Sequence, residues 1–263
     1  MQTAHPKNQS AKHLVDYVLH LADTTHILSQ RNAEWCAHGP ILEQDIAITN
    51  ISLDLLGQSR NFYQYAASLV NTQENAHVTE DSLAYMRDER EYKNLLLTEL
   101  PRGDWAQTIL RQFLFSVFQQ LQYEQLSQSS DEQLAAIAAK SLKEITYHIR
   151  WSSEWVLRLG DGTAESHTRM KNAVSALWEY TGECFMPASF ENHCMKQGIA
   201  PDISLLQQKW FDKVGELFEE ATLALPPATY MQSGGKEGIH TEHLGFMLAE
   251  MQTLQRSFPG AEW

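Results

Sequence analysis

The chain has 263 residues, 43% of them hydrophobic and 20% charged, which is enough apolar material for one large core; a single domain over 11–263 behind an N-terminal tail at 1–10 is the expected organisation. With 33 acidic against 20 basic residues the formal charge is -13, which repels phosphate backbones and argues against a nucleic-acid partner. No run of 18 apolar residues is present for a membrane span, the opening stretch lacks the apolar core of a secretory signal, and the odd set Cys36, Cys184 and Cys194 has no CxxC pairing, so a reducing cytoplasm is the expected compartment.

Apolar residues recur at helical spacing throughout and no run alternates like a strand, so the chain reads as all-α. A first helix is expected over about 11–29, with Leu14, Val15, Val18, Leu21 and Ala22 on one face, before a turn at Gly39-Pro40. The longest follows at about 42–70 and carries Ile48, Ile51, Leu55 and Phe62; residues 71–80 are polar loop, and a shorter helical region runs from Asp81 to near Pro101. Asp104 and Asp131 stand where N-caps belong for helices reaching about Ser127 and Leu159, the latter stopped by Gly160-Asp161-Gly162. Beyond them come a helix over about 165–181, an irregular segment to Pro201, a helix over about 203–223, a loop bracketed by Pro226-Pro227 and Gly234-Gly235, a last helix from His240 to about Arg256, and a short tail with Pro259. Helices of this length, about 37 Å each, suit a four-helix bundle with additional helices, the first two antiparallel because their connection is short.

A di-iron bundle takes one carboxylate from each of two helices and a Glu-x-x-His pair from each of the other two, and no Glu-x-x-His with those roles occurs here. The nearest pairs are Asp54 with Gln58 and Glu144 with His148, each spaced i, i+4 and so sharing a face; a metal role and a buried polar cluster both fit them. His240, Glu242 and His243 place two imidazoles on one face at the start of a helix, but a closed zinc site needs a further ligand, and such residues more often cap a helix or line an interface. Ser59, Ser116 and Ser189 lie in no nucleophile elbow. The run from Arg87 to Asn94 mixes both signs and reads as a solvated helix face.

Three stretches together resemble one family: Gln30-Arg31 with Glu34-Trp35-Cys36 and His38; Asn50-Ile51 with Leu53-Asp54-Leu55-Leu56-Gly57-Gln58; and His240-Thr241-Glu242-His243-Leu244-Gly245 followed by Met247 to Gln252. They are similar to the C subunits of phenylacetyl-CoA epoxidases, the multicomponent monooxygenases of bacterial phenylacetate breakdown. The likeness takes in Arg87-Asp88-Glu89-Arg90, Lys143-Glu144 with Tyr147-His148, and Gly160 with Gly162-Thr163, and spans the chain from about residue 14. It implies a ferritin-like fold and a non-catalytic, structural role beside a related subunit that carries the di-iron site, with electrons arriving from NADPH through a separate reductase. It also implies that the catalytic subunit's ligand positions fall here on Thr25, Leu55, Gln58, Ser116, Ile145 and His148, a degenerate set in which only His148 keeps a ligand type. Asp54 and Glu144 each lie one residue away, about 100° around a helix. The resemblance further implies a part in the site for the CoA thioester, with Glu91, Tyr92, Lys93 and Asn94 as one contact segment and Asn192, His193 and Cys194 as another; Lys93 is suited to a CoA phosphate.

Overall fold

A computed structural model describes residues 6–74, 77–227, 229–258 and 261. Four long helices form the bundle: α1 (Pro6–Ala33), α2 (Leu42–Glu74), α5 (Trp105–Leu126) and α6 (Glu132–Gly160). Two short helices, α3 (Glu80–Tyr85) and α4 (Leu96–Glu99), fill the connection between α2 and α5. After α6 come α7 (Ala164–Leu177), α8 (Ser189–Lys196), α9 (Gln207–Glu220) and α10 (Glu242–Ser257). The fold is all-α and ferritin-like, and no strand occurs among the described residues.

The long helices start and pair for local reasons. Asp104 accepts from the Gln107 amide at 3.0 Å while Gln107 returns a bond to the Asp104 amide at 3.1 Å, a closed cap at the head of α5; Asp131 accepts from the Leu134 amide at 3.0 Å at the head of α6. At the α1–α2 turn Asp45 accepts from the Gly39 amide at 2.9 Å, and the antiparallel pair is pinned by Ser29 and Ser52, each donating to the other's carbonyl at 2.8 Å. The core has an aromatic half around Trp105, Trp151, Trp178 and Trp210, where the Trp210 indole donates to the Leu114 carbonyl at 2.9 Å, and a second half around Tyr17, Phe62 and Tyr123. α7 and α9 pack on α5, α8 on α1, and α10 on α3.

Several expectations are corrected. α1 begins at Pro6, so residues 6–10, read as tail, are helical, and α2 continues to Glu74 into the stretch read as loop. Pro259 lies outside the described residues. The segment read as irregular before Pro201 contains α8, whose Phe190 and Cys194 are buried against α1. The run from Arg87 to Asn94 is not a solvated helix face: it holds a single 3-10 turn at Glu89–Glu91, and Arg87, Tyr92 and Asn94 are buried. Local charge pattern misleads there because the buried carboxylate that receives Arg87 comes from α1. Among the described residues no helix is long and apolar enough to cross a membrane.

Candidate functional site

Two regions carry chemistry: the bundle centre and a polar knot beside the first half of α1. Where α2 faces α6 the two i, i+4 pairs meet as antiparallel rungs that run from the bundle interior to its edge. His148 Nε2 lies 3.1 Å from Asp54 Oδ2, and Gln58 donates to Glu144 at 2.9 Å. Gln58 also accepts from Gln119 at 2.9 Å, so its amide is used at both ends. A second chain runs from Asn32 to Gln112 at 2.7 Å and from Gln112 to Ser116 at 2.8 Å, while Thr25 donates to the Leu21 carbonyl at 2.9 Å. Leu55 and Ile145 are wholly buried beside these rungs.

These residues do not fit a di-iron centre. Such a centre needs several anionic oxygens to balance its charge, yet the implied ligand positions offer one imidazole, one amide, two hydroxyls and two aliphatic side chains. Asp54 is about a third exposed at the bundle edge, and Glu144 is also only partly buried. Among the described residues no group of three His, Cys, Asp or Glu is arranged to hold a metal.

Asp23 organises the polar knot. Fully buried on α1, it accepts from both terminal nitrogens of Arg87, from the Tyr63 hydroxyl at 2.6 Å and from the Lys93 amide at 2.9 Å. Burial opposes the Arg87 charge, but Asp23 more than offsets it and raises the pKa, so the guanidinium stays charged. The chain after Arg87 is thereby fixed. The Tyr92 hydroxyl donates to the Ala84 carbonyl, and Asn94 donates to Glu99 at 2.7 Å. His20 donates Nδ1–H to the Lys93 carbonyl at 2.6 Å, and burial lowers its pKa to about 4.

The knot brings both candidate contact segments to one face. The Lys93 ammonium lies 3.6 Å from Asp16 and 5.5 Å from the centre of the Phe190 ring on α8, two residues before Asn192. Glu191 on the same helix takes the buried Lys236 ammonium at 2.8 Å. Glu91 is exposed and Lys93, Asn192 and His193 are partly so, while Tyr92, Asn94 and Cys194 are interior. His193 bonds Ser10 at 3.0 Å, and Cys194 donates weakly to the His13 carbonyl. A loop closes over this face at Gly234-Gly235, whose amides both donate to the buried Glu183 at 2.8 Å; a side chain at Gly235 would stand 2.2 Å from the Asn94 carbonyl.

His240 and His243 do not share a helix face. Thr241 is the N-cap of α10, which leaves His240 outside the helix. Its ring lies between two acceptors, Glu99 Oε2 at 2.8 Å from Nδ1 and the Tyr92 carbonyl at 3.0 Å from Nε2, so both nitrogens carry protons and the ring is an imidazolium. Burial lowers its pKa, but Glu99 and the Tyr92 carbonyl outweigh that and raise it overall. The resulting stabilisation is full below the unfolded value of about 6.5 and is lost as pH rises through the higher folded value. His240→Gln is therefore expected to lower the urea midpoint most at acid pH, with the gap to the parent narrowing as the solution is made alkaline; a gap that widens would refute the charged ring.

The model of the phenylacetic acid catabolic protein family matches residues 1–263. The chain belongs to that family. A curated relative, the C subunit of 1,2-phenylacetyl-CoA epoxidase from Escherichia coli strain K12, is 47% identical over 250 residues, which cover 95% of this chain and 99% of the relative. Sequence reasoning missed several residues that organise this family member: Asp23, Glu99, Glu183, Glu191 and Gln119. Asp23 left a signal, since it and Asp16 are the two carboxylates within the apolar-periodic stretch of the first helix.

Proposed function

We propose that the chain is a non-catalytic subunit of a multicomponent 1,2-phenylacetyl-CoA epoxidase in phenylacetate degradation, where it packs against a related di-iron subunit and helps shape the CoA-thioester site. Near-complete coverage at 47% identity supports the subunit assignment. The observation that supports the structural role is the bundle interior, where Leu55 and Ile145, which the resemblance equates with ligand positions, are wholly buried aliphatic residues and the Gln58 amide is committed to Gln119 and Glu144. In this reading oxygen is activated at the partner's irons, with electrons from NADPH through a separate reductase, and this chain supplies surface and order. Glu91, Lys93, Asn192 and His193 are the residues exposed enough to meet the thioester, with Tyr92, Asn94 and Cys194 holding the two segments in place.

Co-expression with the iron-bearing subunit is the test: the two chains should co-purify, with iron on the partner. Stoichiometric iron on this chain alone, abolished by His148→Ala, would overturn the assignment. In the assembled complex Lys93→Ala is expected to raise KM for phenylacetyl-CoA roughly threefold to tenfold, the effect of one lost charge-assisted contact, while kcat changes little. Steady-state turnover at varied thioester checks this.

A further inference from the structure

The outward face of α2 is exposed over its first half. At helical spacing Leu42, Ile46, Asn50, Leu53 and Gly57 fall within about 80° of one another and run for about 22 Å along the helix. Leu42, Ile46 and Leu53 are 72%, 52% and 58% exposed, and Ile41 stands exposed at the head of the stripe. Beyond Gly57 the same face is closed by α3, where Arg60 and Gln64 both donate to Glu80 at 3.2 Å and 3.0 Å. Up to that point the stripe carries no charge. Exposed apolar residues gathered on one face mark an interaction site, and the core of an interface is poor in charged residues.

Gly57 is a second, independent sign. It stands near the middle of a 33-residue helix, where glycine is a poorer choice than any residue but proline. A Cβ added there would meet nothing within 4 Å, so packing inside the chain gives no reason for the glycine. A crossing helix does give one. The distance between packed helix axes is set by the side chains at the contact, and a glycine lets the second backbone come closest.

Charge selects the occupant. Between 42 and 59 the charged residues of α2 are Glu43, Asp45 and Asp54, all acidic and flanking the stripe, and the chain carries -13 overall. A second copy of this chain would set acid against acid, whereas a partner with basic flanks around an uncharged helix is complementary. We propose that this stripe is where the related iron-bearing subunit docks, by a helix that crosses α2 closest at Gly57 and carries lysine or arginine beside the contact. The choice of that occupant rests on the subunit role proposed for the chain.

Binding of the purified iron-bearing subunit to the 263-residue chain tests this. Leu53→Glu and Gly57→Gln should each weaken binding roughly tenfold or more, as expected of residues at an interface centre. Neither should lower the urea midpoint of the isolated chain, and Gly57→Gln should raise it, because glutamine is the better helix former and its Cβ has open space. Phe246→Glu, at an exposed position of α10, should bind as the parent does. If the parent itself does not bind the iron-bearing subunit, the subunit role falls together with the docking face. If the parent binds and both α2 variants bind as tightly, the docking face alone falls. A loss on Phe246→Glu as large as on Leu53→Glu, or a self-dimer of the parent that Leu53→Glu dissociates, would equally overturn the proposal.

Discussion

Asp23→Ala is expected to destabilise the fold by about 3–5 kcal/mol, the usual cost of removing one partner from a buried ion pair. The carboxylate is fully buried and serves the Arg87 guanidinium, the Tyr63 hydroxyl and the Lys93 amide, so truncation leaves the guanidinium without its counter-ion, held by the Leu83 and Glu91 carbonyls, and takes the acceptor from two further donors. Tyr63→Phe removes only one neutral donor and should cost about 1 kcal/mol. Replacing both charges together, Asp23→Leu with Arg87→Met, should recover much of the single-variant loss, because the penalty comes from the stranded charge more than from the lost attraction. Urea unfolding of the four proteins checks the order, and a loss below about 1 kcal/mol for Asp23→Ala would contradict this account. The same carboxylate fixes the backbone at Lys93, so any folded fraction of Asp23→Ala should also handle the thioester poorly in the assembled complex.

Ile145→Glu is the second large effect. It restores the Glu-x-x-His spacing with His148, the pattern that a di-iron helix uses. The position is wholly buried beside the second core half, so the new carboxylate must either remain protonated or sit there unpaired. A destabilisation of about 3–5 kcal/mol is expected, and iron should still not bind stoichiometrically, because Thr25, Leu55, Gln58 and Ser116 contribute no anion. Urea midpoints and metal analysis after reconstitution with ferrous iron report the two halves separately. Tight iron binding by this single variant would mean that the centre is one residue from function and that the amide rungs are no barrier.

The capped starts of α5 and α6 are legible in the sequence because Asp104 and Asp131 act on amides three residues away, within reach of any local reading. The same holds for the shared faces of Asp54 with Gln58 and Glu144 with His148: helical spacing alone puts each pair together, and the structure joins the two faces as rungs. By contrast α8 reads as irregular, since its eight residues are too few for periodicity to declare itself and its burial depends on α1.

By itself the sequence determined the all-α class, the order of the long helices and the family resemblance, since each follows from residue type and short-range spacing; that resemblance in turn implied which positions to compare with a di-iron centre. Only the tertiary structure decided what fills that centre and what the run from Arg87 to Asn94 does. The partners concerned are far apart in the chain: Asp23 reaches Arg87 and Lys93, Glu99 reaches His240, and Gln58 lies between Gln119 and Glu144. A charged residue reads as solvated until folding brings up the buried group that neutralises it, and that encounter is set by how the helices pack.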